Sequence, residues 1–242
     1  MTQIKATLID HMGTDLSVVN AARVSFGKKS KLECYNKDHR LSKDDTGLIK
    51  YLAKHKHMSP FGHCFASFHI KAPIFVARQL VKHKFLRWNE ISRRYVETGP
   101  EFYVPEVWRG KAEDKKQGSA GEAEAAKGYF YYEYKDDESE IPYRYQVGVD
   151  TPLSDVYDHY NERTMHFYED LLNKGVCPEQ SRMVLPQSVM TEWYWSGSLD
   201  AFSDMCNLRC KEDTQYESRI VADQISEIMG VLYPVSWEAL TT

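Results

Sequence analysis

The stretch CFASFHIKAPIFVARQLVKHKF, residues 64–85, changes its hydrophobic period once. Up to Lys71 it alternates. Cys64, Ala66, Phe68 and Ile70 lie on one side and Ser67, His69 and Lys71 on the other, the period-two pattern of a half-buried strand. At Pro73 the pattern lengthens. A proline is tolerated in the first turn of a helix, where its missing N–H would have no intrahelical partner, so a helix is predicted over IFVARQLVKHKF. A strand that feeds straight into a helix indicates a domain built from both.

Toward the N-terminus, Ile4, Ala6 and Leu8 alternate with Lys5 and Thr7 as in a second strand, and a short helix is predicted over Leu16 to Arg23. Ser42 has the place of an N-cap, with Asp45 in the first turn and Leu48, Tyr51, Leu52 and His55 at helical spacing. That helix should end near KHKHMSP, because a residue before proline avoids the helical region. Toward the C-terminus, WNEISRRY (88–95) carries no clean period and reads as loop followed by a short extended piece. EFYVP (101–105) is a further strand. Residues 109–145 read as a solvated insertion, partly helical at most. A long helix from Leu153 to Leu172 should turn Val156, Tyr160, Phe167 and Leu171 inward and stop at Gly175. Pro178 opens a short helix, EQSRMVL, closed by Pro186, and VMTEWYW reads as a strand. Ser198 is placed to cap the helix LDAFSDMCNLRC, and a last helix runs from about Gln215 with Val221, Ile225, Ile228 and Leu232 inward. No internal repeat is visible, and no strand leads into a glycine-rich dinucleotide or phosphate loop. The expectation is one α+β domain over 1–242, a mixed or antiparallel sheet flanked by helices, with the insertion at about 109–145.

Composition narrows the class. Hydrophobic residues at 42% and charged residues at 27% exclude a disordered or collagen-like chain. No apolar run approaches the roughly 20 residues that span a bilayer, and MTQIKATLID lacks the layout of a signal peptide. A cytoplasmic protein with no membrane partner is expected. Five cysteines, an odd number with no C-x-x-C pair, suggest neither a disulfide framework nor a zinc ribbon. Cys206 and Cys210 read as buried reduced thiols. His55, His57 and His63 bracket a serine-proline turn with no carboxylate between them, so no metal is expected, and His57 is free to meet a ligand.

Between Arg78 and Arg94 stand Arg78, Lys82, Lys84, Arg87, Arg93, Arg94 and His83 against Glu90 alone, in a chain of net charge −4. Arg78 and Lys82, four residues apart, should share a helix face. A charge run is most often a solvated face. Here Phe75, Leu80, Phe85, Trp88 and Ile91 are interleaved, too apolar for a fully solvated segment, so some of the cations should border a packed surface and require a phosphate or carboxylate partner. A nucleic-acid strand stacked on the aromatics would serve, as in a nucleic-acid-binding module. A phosphorylated small molecule would serve as well and suits the acidic remainder better. Arg182 and Arg209 stand in otherwise apolar helices, where a buried guanidinium requires a ligand anion or, equally, an internal salt bridge.

Taken together, these segments resemble one family. KAPIFVARQLVKHKFLRWNEISRRY is similar to the signature of flavin-dependent thymidylate synthases, with Arg78, Gln79, His83, Asn89, Glu90, Ser92, Arg94 and Tyr95 on its places. The resemblance extends to NAARVSF (20–26), HMSPFGH (57–63), EFYVP, SRMVLP and NLR (207–209). It implies reductive methylation of dUMP to dTMP, with methylenetetrahydrofolate as carbon donor, NADPH as reductant and FAD as cofactor. It also implies a homotetramer with shared active sites, working on small molecules and not on nucleic acid. Gln79, Ser92, Arg93, Arg94, Arg182 and Arg209 match positions that hold dUMP, with Arg78 and Lys82 nearby. Ser59, Lys82, His83, Lys84, Glu90, Ser198, Leu199, Asp200 and Asp204 match flavin contacts, and His57 a histidine beside the flavin ring. Arg209 is the expected electrostatic activator of the pyrimidine, and Ser92 a binding hydroxyl rather than a nucleophile, since no Ser-His arrangement accompanies it. No proline-cysteine-histidine nucleophile of the flavin-free synthases is present. The sequence departs from the pattern at Lys82 and Lys84 (arginines in the family), Arg87 (serine), Gly62 (glutamate), Asp204 (asparagine) and Asp213 (histidine in some members).

Overall fold

The computed structural model describes residues 3–35, 38–96, 99–113, 119–123, 131–134, 143–146 and 152–242. They fall into two compact units, one from Gln3–Ile91 with Thr191–Thr242, the other from Ser92–Met190. The first is called the sheet unit and the second the inserted unit.

In the sheet unit, β1 (Lys5–Met12) leads to α1 (Asp15–Arg23), a short ladder of β2 (Glu33–Tyr35) with β3 (Asp38–Arg40), and α2 (Lys43–Lys54). Then come β4 (Phe65–Pro73), α3 (Ile74–Leu80) and β5 (Leu86–Glu90). The inserted unit contains β6 (Tyr131–Tyr134), β7 (Tyr143–Gln146), α4 (Leu153–Asn173) and α5 (Pro178–Ser181). After it run β8 (Met190–Ser198), α6 (Leu199–Arg209), α7 (Tyr216–Leu232) and α8 (Pro234–Thr241). The main sheet has the order β1-β4-β8-β5, with β1 antiparallel to β4 and β5 antiparallel to β8. Mixed helix and antiparallel sheet is the α+β class that the period change at Pro73 predicts.

Alternation builds the core. β4 buries Ala66, Phe68, Ile70 and Ala72, and β8 buries Trp193 and Trp195, while their other faces stay partly open. Phe68 and Trp195 both meet Phe202 of α6 edge-on, at 5.2 and 5.7 Å between ring centroids, so α6 lies against the buried face. Each such ring contributes about 2–3 kcal/mol by removal from water. Gln224 of α7 accepts a hydrogen bond from Ala6 N at 2.8 Å and donates to Ile4 O at 3.2 Å, satisfying backbone groups on the edge strand β1. Asp15 accepts from Val235 N and Ser236 N at 3.0 and 2.9 Å, capping α8, a helix that the sequence pattern does not reveal. Gly13, at φ +88, is required: a Cβ there would lie 2.8 Å from Cys64 Sγ. Burial pushes the Cys64 thiol up to about 12, so it stays protonated and donates to Thr14 O. All five cysteines are free thiols.

Asp45 is the main buried ion-pair partner of this unit. Its Oδ1 accepts from Arg23 Nη2 at 2.6 Å, Arg23 Nε at 2.9 Å and Ser30 Oγ at 2.9 Å, and its own N–H donates to the N-cap Ser42. Burial alone would raise the carboxyl's pKa. The bonds from Arg23, Ser30 and Ser42 outweigh it and hold the group below its ordinary range.

Several expectations are corrected. The helix after Pro73 ends at Leu80, not Phe85, because the chain must turn to join the sheet edge; Arg78 and Lys82 therefore do not share a helix face. WNEISRRY is not loop followed by an extended piece but the reverse: Trp88–Glu90 belong to β5, pulled into the ladder by pairing with β8, and a turn follows from Arg93. EFYVP forms only a bridge, Phe102 to Val189, between Pro100 and Pro105, which cannot donate to a ladder. In the insertion, β6 and β7 pair antiparallel where at most helix is predicted, in keeping with their tyrosine content; most of the remaining expectation lies outside the described residues. On α4 the buried residues are Val156, Asn161 and Tyr168, whereas Tyr160 and Phe167 are 44% and 53% exposed. The stripes 160/167 and 161/168 both carry an aromatic, and packing turns the helix by one residue relative to the predicted face. On α7, Ile228 and Leu232 are only half-buried, and Met229 takes the inward place.

Removing the guanidinium from the Asp45 cluster should cost about 3 kcal/mol, the cost of leaving a buried charge uncompensated. Urea denaturation of Arg23→Ala at neutral pH measures it. This contribution is present above the ordinary carboxyl value and lost as pH falls through the depressed native one. Gly197 pairs with Leu86, and a Cβ there would overlap Leu86 Cδ2 and stand 3.2 Å from Phe85 O. Gly197→Ala should therefore destabilise the protein by about 1–3 kcal/mol in the same assay.

Candidate active site

In the sheet unit the expected flavin residues come from three places that local geometry joins. The turn Ser59–His63 packs against α6, and Leu199 N donates to Cys64 O at 2.9 Å. This sets Leu199 beside Cys64 and Asp200 near Gly62, at the end of that turn. Leu199 is buried, Asp204 is exposed one turn further along α6, and Ser198 holds the N-cap position without a side-chain cap bond. Asp200 Oδ1 is buried and has no hydrogen-bond partner among the described residues. Gly62 leaves open space there, since a Cβ built on it would have only Asp200 Oδ1 within reach, at 4.0 Å. An orphaned carboxylate oxygen next to a vacant side-chain position suits a ligand hydroxyl or amino group.

His57 follows Lys56, which closes α2 in the left-handed region at φ +57 while His57 N donates to Leu52 O at 2.9 Å. The exposed imidazole lies parallel to Tyr51, at 6.2 Å. The second non-glycine residue with positive φ among the described residues is Phe85, at φ +64 and 82% exposed. Strain of this kind clusters at functional sites. Both residues adjoin expected flavin contacts, His57 and Lys84, and nothing in the sequence pattern marks them.

The cations divide. Arg78, Lys82, Lys84 and Arg87 are exposed and have no acidic partner among the described residues. Gln79 is committed internally: its Nε2 donates to Gln215 Oε1, and its Oε1 accepts from Ser218 Oγ at 3.1 Å. Glu90 accepts from Thr191 Oγ1 at 2.7 Å and Trp88 Nε1 at 3.1 Å. Trp88 in turn stacks on Trp193 at 4.4 Å and 19°. Thr191 and this tryptophan pair were not legible as site support; the W-x-W spacing in β8 was the available signal.

Arg209, the last residue of α6, meets His83 in the turn after α3. Arg209 Nε donates to His83 Nε2 at 3.0 Å. No carboxylate pairs with this half-buried guanidinium among the described residues, so the salt-bridge alternative is not realised there. Burial, and then the charge of Arg209, hold the His83 imidazole down at about 4. In the inserted unit, Ser92 opens a turn and its Oγ accepts from Arg94 Nε at 3.2 Å. Arg94 lies over Tyr95 at 4.9 Å, and its Nη1 is 3.8 Å from Glu179, one turn before Arg182. Arg93 is half-buried. Arg182 is exposed rather than buried, because α5 stops at Ser181 and the tighter turn Arg182–Val184 changes the period. Among the described residues no group of three or more His, Cys, Asp or Glu could hold a metal ion, and no helix is long and apolar enough to cross a membrane.

Imidazole NMR should place the His83 titration near pH 4 instead of 6.5. Because the native value is the lower one, the protein binds fewer protons folded than unfolded between these values. The associated stability is complete above pH 6.5 and lost as pH falls through 4.

Residues 7–235 match the family described as "thymidylate synthase complementing protein". The chain is 36% identical over 232 residues to a flavin-dependent thymidylate synthase of Thermus thermophilus, covering 96% of this chain and 73% of that protein. It is 35% identical over 233 residues to that of Thermosipho africanus, covering 96% and 88%. A solved structure, a UMP/dUMP methylase PolB from Streptomyces cacaoi bound with 5-Br dUMP, superposes with a TM-score of 0.76 at 30% identity, over 99% of this chain and 95% of that one. The chain belongs to the thymidylate synthase complementing protein family, which its ordered motifs resemble from NAARVSF to NLR.

Proposed function

We propose that the protein is an FAD-dependent thymidylate synthase that methylates dUMP reductively to dTMP, with methylenetetrahydrofolate as carbon donor and NADPH as reductant, working as a homotetramer. The observation that carries this reading is Arg209: a half-buried guanidinium whose only hydrogen bond among the described residues uses Nε, leaving both terminal nitrogens for a ligand. Placed at N3 and O2 of the uracil ring, they would stabilise the negative charge that makes C5 nucleophilic, with no enzyme thiolate. The two buried cysteines suit this. Cys64 and Cys206 are buried with raised thiol pKa, the opposite of an activated nucleophile.

In the sheet unit, Gln79, Arg78 and Lys82 are assigned with Arg209 to the nucleotide; in the inserted unit, Ser92, Arg93, Arg94 and Arg182. The Ser92 hydroxyl accepts from Arg94 and touches no imidazole among the described residues, which supports a binding role. Ser59, Lys82, His83, Lys84, Glu90, Ser198, Leu199, Asp200 and Asp204 are assigned to FAD, with His57 beside its ring. The Asp200 oxygen and the Lys82 and Lys84 ammonium groups, without partners among the described residues, are groups that a polyhydroxylated, doubly phosphorylated cofactor would satisfy. When bound, FAD supplies the hydride that completes the methyl group. The cations nearby would favour its anionic reduced form.

Purified protein should be yellow, and its flavin spectrum should shift on adding dUMP; a colourless protein that retards an oligonucleotide would indicate nucleic-acid binding instead. Tritium release from C5-labelled dUMP with reduced flavin and methylenetetrahydrofolate should fall roughly 10²- to 10³-fold in Arg209→Ala, and full activity would remove its assigned role. Asp204 and Asp213 add carboxylates where the family resemblance gives neutral residues or histidine, and Arg87 is the compensating charge in this reading. Arg87→Ser should then weaken FAD binding in a fluorescence titration, and unchanged binding would refute that compensation.

A further inference from the structure

His83 and Arg209 are 126 residues apart in sequence, and their side chains meet at 3.0 Å. An imidazole nitrogen accepts a hydrogen bond only when it carries no proton, so His83 is neutral, with its hydrogen on Nδ1. The ring is held in place. Its edge meets Trp195 at 6.4 Å, Trp195 meets Phe202 at 5.7 Å, and Phe202 meets Phe68 at 5.2 Å, a file of aromatics running into the core. Backbone geometry fixes it too, through His83 N donating to Leu80 O at 3.1 Å.

The choice of acceptor is informative. Elsewhere in this unit a guanidinium that must be fixed is given a carboxylate, as Arg23 is by Asp45 at 2.6 Å. A carboxylate would orient Arg209 more strongly and lower the cost of its burial. It would also cancel most of the positive charge. A neutral imidazole at Nε orients the guanidinium plane, occupies none of the four terminal N–H groups and leaves the charge whole. Stability alone would favour an acid at residue 83. A site that uses the charge favours an uncharged acceptor.

We propose that His83 is a positioning residue that acts through Arg209, aiming its terminal nitrogens at the pyrimidine without neutralising them. This rests on the assignment of Arg209 to dUMP activation and adds a role to His83 beyond flavin contact. Three substitutions separate it from a packing role. Gln places a neutral acceptor near the Nε2 position, Glu places an anionic one there, and Ala places none. C5 tritium release at saturating dUMP should fall roughly 10²-fold in His83→Ala, in kcat rather than KM, the scale of losing one preorganised electrostatic group. His83→Gln should recover most of that loss. His83→Glu should stay as slow as His83→Ala even though its melting temperature equals or exceeds that of His83→Gln. FAD content, read from the flavin absorbance of each variant, normalises the rates. Independently of turnover, 15N NMR of labelled histidine should show His83 as the Nδ1–H tautomer, becoming a mixture in Arg209→Ala. Glu equal to or faster than Gln, unimpaired release in His83→Ala, or an Nε2–H tautomer would each overturn the inference. Absence of C5 release in the unsubstituted protein would overturn the functional reading and this inference with it.

Discussion

The antiparallel pairing of β5 with β8 decides where the chemistry can be. Its register places Leu86 opposite Gly197, Trp88 opposite Trp195 and Glu90 opposite Trp193. A slip of one residue would turn Trp88 outward and Arg87 into the core, because side chains alternate with period two. Trp88 stacked on Trp193 makes that slip costly, and Gly197 allows the chain to approach closely enough for the pairing to begin at Leu86. The turn between α3 and β5 is thereby held over the C-terminal end of α6, and His83 reaches Arg209. The left-handed Phe85 is what it takes to make that turn in so few residues.

Several buried polar groups in the sheet unit are satisfied across long stretches of sequence. Asp15 caps α8, Asp45 holds Arg23 and two serines, and Gln224 closes the edge of β1. Others are not: Trp193 Nε1 and Ser236 Oγ are buried without a hydrogen-bond partner among the described residues, and two groups on α6 are under-satisfied as well. Asp200 has a buried oxygen with no partner among the described residues, and Arg209 has a neutral acceptor where a carboxylate would be more stabilising. Both lie on α6, at its two ends, and in the proposed function each is a group that a ligand would satisfy. Arg78, Lys82, Lys84 and Arg87, exposed and without an acidic partner among the described residues, add positive charge to a chain that is acidic as a whole. That combination is in keeping with the proposed function, in which an anionic small molecule meets the cations at one location.

Much of this was legible in the residues. Alternation in Phe65–Lys71, the N-cap at Ser42, the stop at Gly175 and the proline at the start of α5 each carry a local physical cause, and each element is present. The ordered motifs also identified the family and named Arg209 as an isolated cation in an apolar helix. What failed were readings that needed a packing partner. The end of α3, the strand at Leu86–Glu90, the inward stripe of α4 and the exposure of Arg182 all depend on what the segment lies against. α8 was missed because its anchor, Asp15, is more than two hundred residues away.

The sequence by itself determined the fold class and the family, because hydrophobic period, caps and motif spacing are properties of a few neighbouring residues. Only the tertiary structure decided what each charged group faces. The distance from Arg209 to His83, the orphaned oxygen of Asp200 and the commitment of Gln79 to Gln215 join positions far apart in the chain. Pairing across such separations is set by strand register and helix packing, and no local pattern encodes it.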